Sequence, residues 1–447
     1  MNFFNIIKSI LLIFLSLLIS ISSKYINIFI FLTFIPIFIS FYKFPKISKF
    51  TFALYFIGYF FIYEAYLLPL IHQLIFLIII ILIFSATNIL LAKTEFKYML
   101  IIISANIIIF DYILYNLWGT LFIFSSNIGN EYLLKISTYL GPQTILAISL
   151  TFSTLIVYNI NKKQIIKPCA SYVLTISFII IFGYISNFTY NKFLNFFIIN
   201  FNNKKEAKYI ELTNKSLSFI EKKSLKNSII LLPSINIAFN NDTEKKFFEL
   251  WGNISKKYSA DLTLGCKDLF FNYNVAPLFS QNGNVVEISE QKQFFPITNI
   301  DKGEYTLFIE KIKSNIGILV NEEIFFKKPA DFLTKTGSHI IINPQKNITW
   351  LKNNRIINSL KLNAIINRQS IISNFYNKLI IAIDANGHLI FTKDNFNKYP
   401  VKIIKIKLPE GKSFSRYQQW GDLLPYSAFI ILFLLIIQKL YKTKSFF

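Results

Sequence analysis

What most constrains this chain is a series of apolar runs of bilayer-crossing length, followed by a long stretch that has none. Windows of about 19 residues place such runs at 7–21, 26–42, 52–70, 74–91, 98–118, 139–160 and 172–188, and an eighth at 424–441. A helix needs roughly 20 mostly apolar residues to cross the hydrocarbon of a membrane. The pattern therefore predicts a polytopic α-helical membrane protein with an inserted water-facing domain. The expected divisions are a seven-span part over 1–192, an outer domain over 193–422, and a closing span with its tail over 423–447. The first run is expected to be a retained span, because Ser22, Ser23 and Lys24 make a poor cleavage site and further spans follow at once.

Lysine placement sets the expected orientation. With the N-terminus inside, the inner loops hold Lys43, Lys46, Lys49, Lys93, Lys97, Lys162, Lys163 and Lys167, and the tail holds Lys442 and Lys444. The short outer loops hold only Lys24 and Lys135. Both termini are thus expected in the cytoplasm of a bacterial cell, the spans in its inner membrane, and the large domain in the periplasm. Cys169 and Cys266 then fall on opposite sides of the membrane, which argues against a disulfide. Glu64 and Asp111 lie inside apolar runs. Ionisable groups there are functional candidates, although both are expected near the outer ends of their spans, where water reaches them.

The formal charge of +23 does not argue for nucleic acid. The excess is mostly lysine, spread through a chain rich in Ile, Asn, Phe and Tyr, and no basic stretch is interleaved with a binding motif. The three histidines and two cysteines show no metal-ligand spacing, so no metal or cofactor is expected.

The outer stretch alternates short β-rich runs (228–232, 261–264, 315–320, 339–342, 379–383) with helix-like segments (242–258, 327–336), which predicts an α/β layered domain. Asp384-Ala385-Asn386-Gly387 is expected to be a hairpin turn with Asn-Gly as its central pair.

Four motifs in this stretch carry a resemblance. They are Ile316-Gly317-Ile318-Leu319-Val320 followed by Asn321-Glu322-Glu323; Gly337-Ser338-His339 running into Ile342-Asn343-Pro344 and Trp350; Ala364-Ile365-Ile366-Asn367 spaced from Ile383-Asp384; and Ser415-Arg416-Tyr417-Gln418-Gln419-Trp420-Gly421-Asp422 just before the last span. In this order, and with this topology, the chain resembles the apolipoprotein N-acyltransferases of the nitrilase-like (carbon-nitrogen hydrolase) superfamily. The resemblance implies an αββα sandwich, transfer of an acyl chain from a membrane phospholipid to the N-terminal amine of diacylglyceryl-cysteine lipoproteins, and a monomer needing no cofactor.

The family's chemistry uses a thiolate nucleophile, a glutamate base and a lysine that stabilises the oxyanion. Matched residue by residue, Asn321 stands in the nucleophile slot and Ser234, after Leu232-Pro233, in the base slot. Lys292 stands in the lysine slot, and Glu323 keeps the next family glutamate. Lys292 and Glu323 are the candidate catalytic residues, while an amide and a hydroxyl fill the other two slots. Cys266 matches a structural position on a different strand. Three functions stay open at this point: an N-acyltransferase impaired at its nucleophile, a non-catalytic membrane-anchored protein that binds lipid or lipoprotein, and a transporter with an outer domain.

Overall fold

The computed structural model describes residues 3–22, 32–44, 77–78, 96–122, 124–161, 166–187, 189–201, 209–239, 241–268, 273–291, 293–294, 298–299, 316–346, 352–376, 378–394, 401–411 and 415–444. Glu64, Lys292, Trp350, the expected span 52–70 and nearly all of 74–91 lie outside them. The chain divides into two compact units, one of 1–187 with 419–447 and one of 188–418.

The first unit is helical, and its long helices are Phe3–Ser22, Phe96–Trp118, Thr144–Asn161, Ile166–Ile185 and Leu423–Lys444. Among the described residues one helix, Tyr98–Leu117, is by itself long and apolar enough to cross a membrane, and it is mostly buried within the structure. Shorter apolar stretches occupy 6–16, 173–185 and 423–438. Large apolar side chains on these helices face outward, among them Phe14, Leu174, Ile185 and Phe433.

Two sequence expectations are corrected here. The run 139–160 is not one straight helix. Ser137–Leu140 ends at Gly141, whose φ of 93° no continuing helix adopts, Pro142 follows, and the next helix leaves at 98° to the preceding pair. Asp111 does not reach water. It is 2% exposed and accepts the Phe124 N–H at 2.7 Å, so its carboxylate holds the turn Phe124–Asn127.

The second unit is built from two mixed sheets. Its strands are β1 (Phe193–Phe201), β2 (Ile229–Phe239), β3 (Asp261–Asp268), β4 (Tyr273–Phe279), β5 (Val285–Glu290), the short β6 (Gln293–Phe294) and β7 (Thr298–Asn299), β8 (Ile316–Ile318), β9 (Ile340–Gln345), β10 (Ser370–Phe375), β11 (Leu379–Ile383), β12 (Leu389–Asp394) and β13 (Val401–Pro409). One sheet runs β13-β1-β2-β3-β4-β5 and the other β12-β11-β10-β9-β8. From β1 to β5, and again from β8 to β12, successive strands pair parallel, parallel, antiparallel, antiparallel. Helices fill the parallel crossovers in both halves, so the domain is the same strand-helix plan used twice.

Side-chain alternation explains why the sheets stack. Phe196, Ile198, Ile229, Leu231, Ala276 and Leu278 of the first sheet pack against Ile316, Ile318, Ile340, Ile342, Ile372 and Ile380 of the second, forming one core between the layers. The opposite face of the first sheet packs on Tyr209 and Leu217 of helix Tyr209–Ser218 and on Phe247, Trp251 and Ile254 of helix Asn241–Tyr258. Helix Lys327–Lys335 covers the outside of β8. A Cβ on Gly317 would lie 2.6 Å from Leu333 Cδ1, so the strand must be bare there. The result is an αββα sandwich.

Candidate functional site

The structure places Asn321 three residues after β8, at the start of the tight turn Asn321–Phe325. Its φ is +52°, the left-handed region that Asn tolerates better than other side chains. The strand that delivers it is the edge of the second sheet among the described strands. The turn is fixed by its own residues. The buried Glu323 carboxylate accepts the Val320 N–H at 3.1 Å, and Asn343 of β9 donates from Nδ2 to the carbonyls of Leu319 at 2.7 Å and Asn321 at 2.9 Å. Glu323 therefore holds the backbone that carries Asn321.

Both ends of the Asn321 amide are engaged. Nδ2 donates to Gln291 Oε1 at 2.9 Å, and Oδ1 accepts the Lys346 N–H at 3.0 Å. Gln291 Oε1 also accepts from Asn274 Nδ2 at 2.7 Å, while Gln291 Nε2 donates to Glu322 at 3.2 Å. Lys346 Nζ closes the set by donating to Asn274 Oδ1 at 2.7 Å. Burial holds the Lys346 ammonium below the usual lysine range; Glu322 opposes this shift and Lys267 adds to it.

Strand register explains why residues so far apart in sequence meet. Thr263 and Leu278 are cross-strand partners, as are Lys267 and Asn274. Leu262, Leu264 and Cys266 belong to the core under the outer helices. The odd-numbered residues of β3, including Gly265 and Lys267, therefore face the second sheet. Asn274 and Gln291 continue the Lys267 row across β4 and β5, with the Gln291 N–H on the Asn274 carbonyl at 2.8 Å. Lys346 and Asn321 reach this row from the ends of β9 and β8, which are also the carboxyl ends of parallel strands. Crevices at such ends are where α/β sheets bind their ligands.

Ser234 pairs in register with Gly265 and so faces the same inter-sheet side, one row nearer the middle of the sheet. It lies within β2, which continues through Pro233 to Phe239. It is 2% exposed, and its Oγ has no hydrogen-bond partner among the described residues. Gly265 is required beside it, because a Cβ there would come within 2.7 Å of Ser234 Cα and Oγ. Cys266 is free and buried on the opposite face of β3, where burial pushes its thiol up. Its sulfur does not face Asn321.

Of the residues singled out in the sequence, the structure thus brings Asn321, Ser234 and Glu323 to one end of the sandwich. Gln291, Asn274 and Lys346 complete the network, with Lys267 beside Asn274 in the same inward row, and were not anticipated. Lys346 sits two residues after Pro344 inside a motif that was noticed, and Gln291 directly precedes Lys292. Their convergence depends on cross-strand register, which no local pattern displays.

No protein-family model and no curated protein matches the sequence. The structure is similar to solved members of the nitrilase superfamily. Among them are Nit3 of Saccharomyces cerevisiae, at 13% identity and a TM-score of 0.40, covering 49% of this chain and 91% of that one; a carbon-nitrogen hydrolase from Helicobacter pylori, at 14% and 0.41, covering 52% and 94%; and an amidase from Nesterenkonia sp., at 9% and 0.41, covering 51% and 92%.

Proposed function

We propose that this chain is a membrane-anchored, nitrilase-like protein of the apolipoprotein N-acyltransferase type that binds a lipid or lipoprotein ligand without forming an acyl-enzyme. The observation that carries this reading is Asn321. It stands on the strained turn where such a site presents its nucleophile, and it offers an amide bonded at both ends. Covalent acyl transfer needs an atom that both attacks and leaves. An amide nitrogen does neither, because its lone pair is delocalised. Ser234 adds no base, and Cys266 lies on the far face of β3. The apolar spans and the outward apolar side chains of the helical unit support an anchored protein.

The test is acylation in cells. Expressed where the cell's own N-acyltransferase is depleted, this chain is expected to leave lipoproteins without their N-terminal acyl chain by mass spectrometry. Near-normal triacylation would overturn the reading. Restoring Asn321→Cys together with Ser234→Glu is the converse experiment, and a gain of acylation there would show a cleft that kept its shape after losing its chemistry.

A further inference from the structure

Asp111 and Gln143 face each other inside the helical unit, and neither is fully partnered. Asp111 is buried on helix Phe96–Trp118, and the Phe124 N–H donates to its Oδ1. Its Oδ2 has no hydrogen-bond partner among the described residues. The Gln143 side chain is turned toward this carboxyl group. It is fully buried, and neither its amide nitrogen nor its amide oxygen is hydrogen-bonded among the described residues. The chain bends to bring the two together. Gly141 and Pro142 break the helix, and Gln143 starts the next one, its carbonyl accepting the Ala147 N–H at 2.9 Å. Ser125 Oγ donates to the Pro142 carbonyl, which fastens the break to the turn that Asp111 holds.

Neighbouring elements do not supply a cation. Segments Gly119–Phe122, Phe124–Asn127 and Thr144–Asn161 hold no Asp, Glu, Lys, Arg or His, and Tyr158 lies at the far end of the last. On helix Leu423–Lys444, Tyr426 is near the start, while Lys439, Tyr441, Lys442 and Lys444 are at the opposite end. Asp422, just before that helix, accepts from Tyr112 at 3.0 Å, so this approach brings a second acid. Tyr115 follows one turn after Asp111 on its own helix.

We propose that Asp111 Oδ2 and Gln143 Oε1 form a site for one small cation, a proton or a sodium ion, inside the helical unit. A buried carboxylate with one donor and no counter-charge is costly until a positive charge joins it. A proton on Oδ2 makes that oxygen a donor, and Gln143 Oε1 is the acceptor facing it. A sodium ion would instead take both oxygens as ligands. In either case Oδ1 keeps the Phe124 bond. Ionisable groups within apolar spans and breaks in apolar helices are recurrent places for such sites. Occupancy would join helix Phe96–Trp118, the turn and the helix break at one point. The inference stands on the helical unit alone, independent of what the second unit binds.

The experiment uses the full chain in a nonionic detergent at neutral pH, in choline chloride and in sodium chloride at equal ionic strength. Infrared difference spectra against Asp111→Asn report the C=O stretch of a protonated carboxyl group, and melting curves report sodium. A carboxyl band that Asp111→Asn lacks assigns the proton. A melting midpoint that rises with sodium in the natural chain, and not in Asp111→Asn, assigns sodium. Gln143→Leu is expected to move the band to higher frequency in the first case, because the acid loses its acceptor. In the second it should raise the sodium concentration required by about tenfold, the scale of one lost contact to a charged group. The absence of both signals, their survival in Asp111→Asn, or their indifference to Gln143→Leu would overturn the proposal. Asp111→Asn keeps the shape of the acid and its bond to Phe124, so it is expected to fold. Where it does not, Asp111→Glu replaces it, with a shifted band or an altered sodium response expected and an unchanged one counting against the site. Gln143→Met likewise stands in for Gln143→Leu.

Discussion

Asn321 combines two features that rarely coincide by accident of packing. Its backbone is left-handed at φ +52°, and its side chain bridges two sheets through Gln291 and Lys346. Holding a non-glycine residue there costs on the order of 1 kcal/mol, and the two amide hydrogen bonds offset a cost of that size. The neighbouring pair Ser234 and Gly265 shows the same economy of space. Gly265→Ala is expected to lower stability by about 1–3 kcal/mol, the usual penalty for overpacking, because the new methyl meets Ser234 at 2.6–2.7 Å. In a Ser234→Gly background, which removes Cβ and Oγ, the penalty should fall by roughly half. Urea unfolding of the four chains measures this, and an unchanged penalty would show that the two residues are not in contact.

Lys378 gives a pH dependence with a definite sign. Partial burial holds its ammonium at about 8, against the usual 10.5. The fold therefore disfavours the charged form. Between those two values the unfolded chain binds more protons than the folded one, so stability rises with pH across that window, and below it the group's full penalty is present and independent of pH. Lys378→Met should raise the thermal midpoint most below pH 8, with the advantage vanishing as pH approaches 10.5. The side chain is partly exposed, so the gain stays under about 1 kcal/mol. A gain independent of pH would mean that packing, not charge, is responsible.

At the scale of elements, local pattern located the strands well and described their junctions less well. The β-rich runs at 228–232, 261–264 and 339–342 lie within or along β2, β3 and β9, because a buried strand announces itself by composition. The turn after β11 is different. Gly387 N–H bonds the Asp384 carbonyl at 2.9 Å, so the central pair is Ala385-Asn386, and Gly387 follows at φ 84°. Asp384 sets this arrangement. Its Oδ1 accepts the backbone N–H groups of Asn386 at 3.0 Å and His388 at 2.8 Å, converting the expected two-residue hairpin into a type I turn with a glycine bulge. Helix 144–161 shows the same limit. Composition marked the apolar run but gave no account of the bend at Gly141 and Pro142.

For the whole molecule, the repeated lysine asymmetry leads us to propose an outer-facing second unit and cytoplasmic termini. In a Cys169→Ala chain, a cysteine at the exposed position Lys223 is expected to react with a membrane-impermeant thiol reagent in cells whose outer membrane has been opened. One at Lys442 should stay protected until the inner membrane is lysed. The reverse pattern would invert the topology. Buried Cys266 should remain silent in both conditions.

The sequence by itself determined the apolar runs, the α/β character of the stretch between them, and the residues in the slots of the acyl-transfer motif, because hydrophobic length, periodicity and ordered motifs are local properties of a chain. Those same local signals placed Asn321 in the nucleophile slot and found no cysteine near it. Only the tertiary structure decided that Cys266 faces away from Asn321, that Asp111 is sealed from water, and that Lys346 meets Asn274 across the end of the sandwich. These facts follow from cross-strand register and from which face of a pleated strand each side chain takes. A one-residue slip in pairing would reverse every one of those faces, and the hydrogen bonds that prevent the slip join residues more than 20 positions apart, such as Asn343 to Leu319 and Lys346 to Asn274.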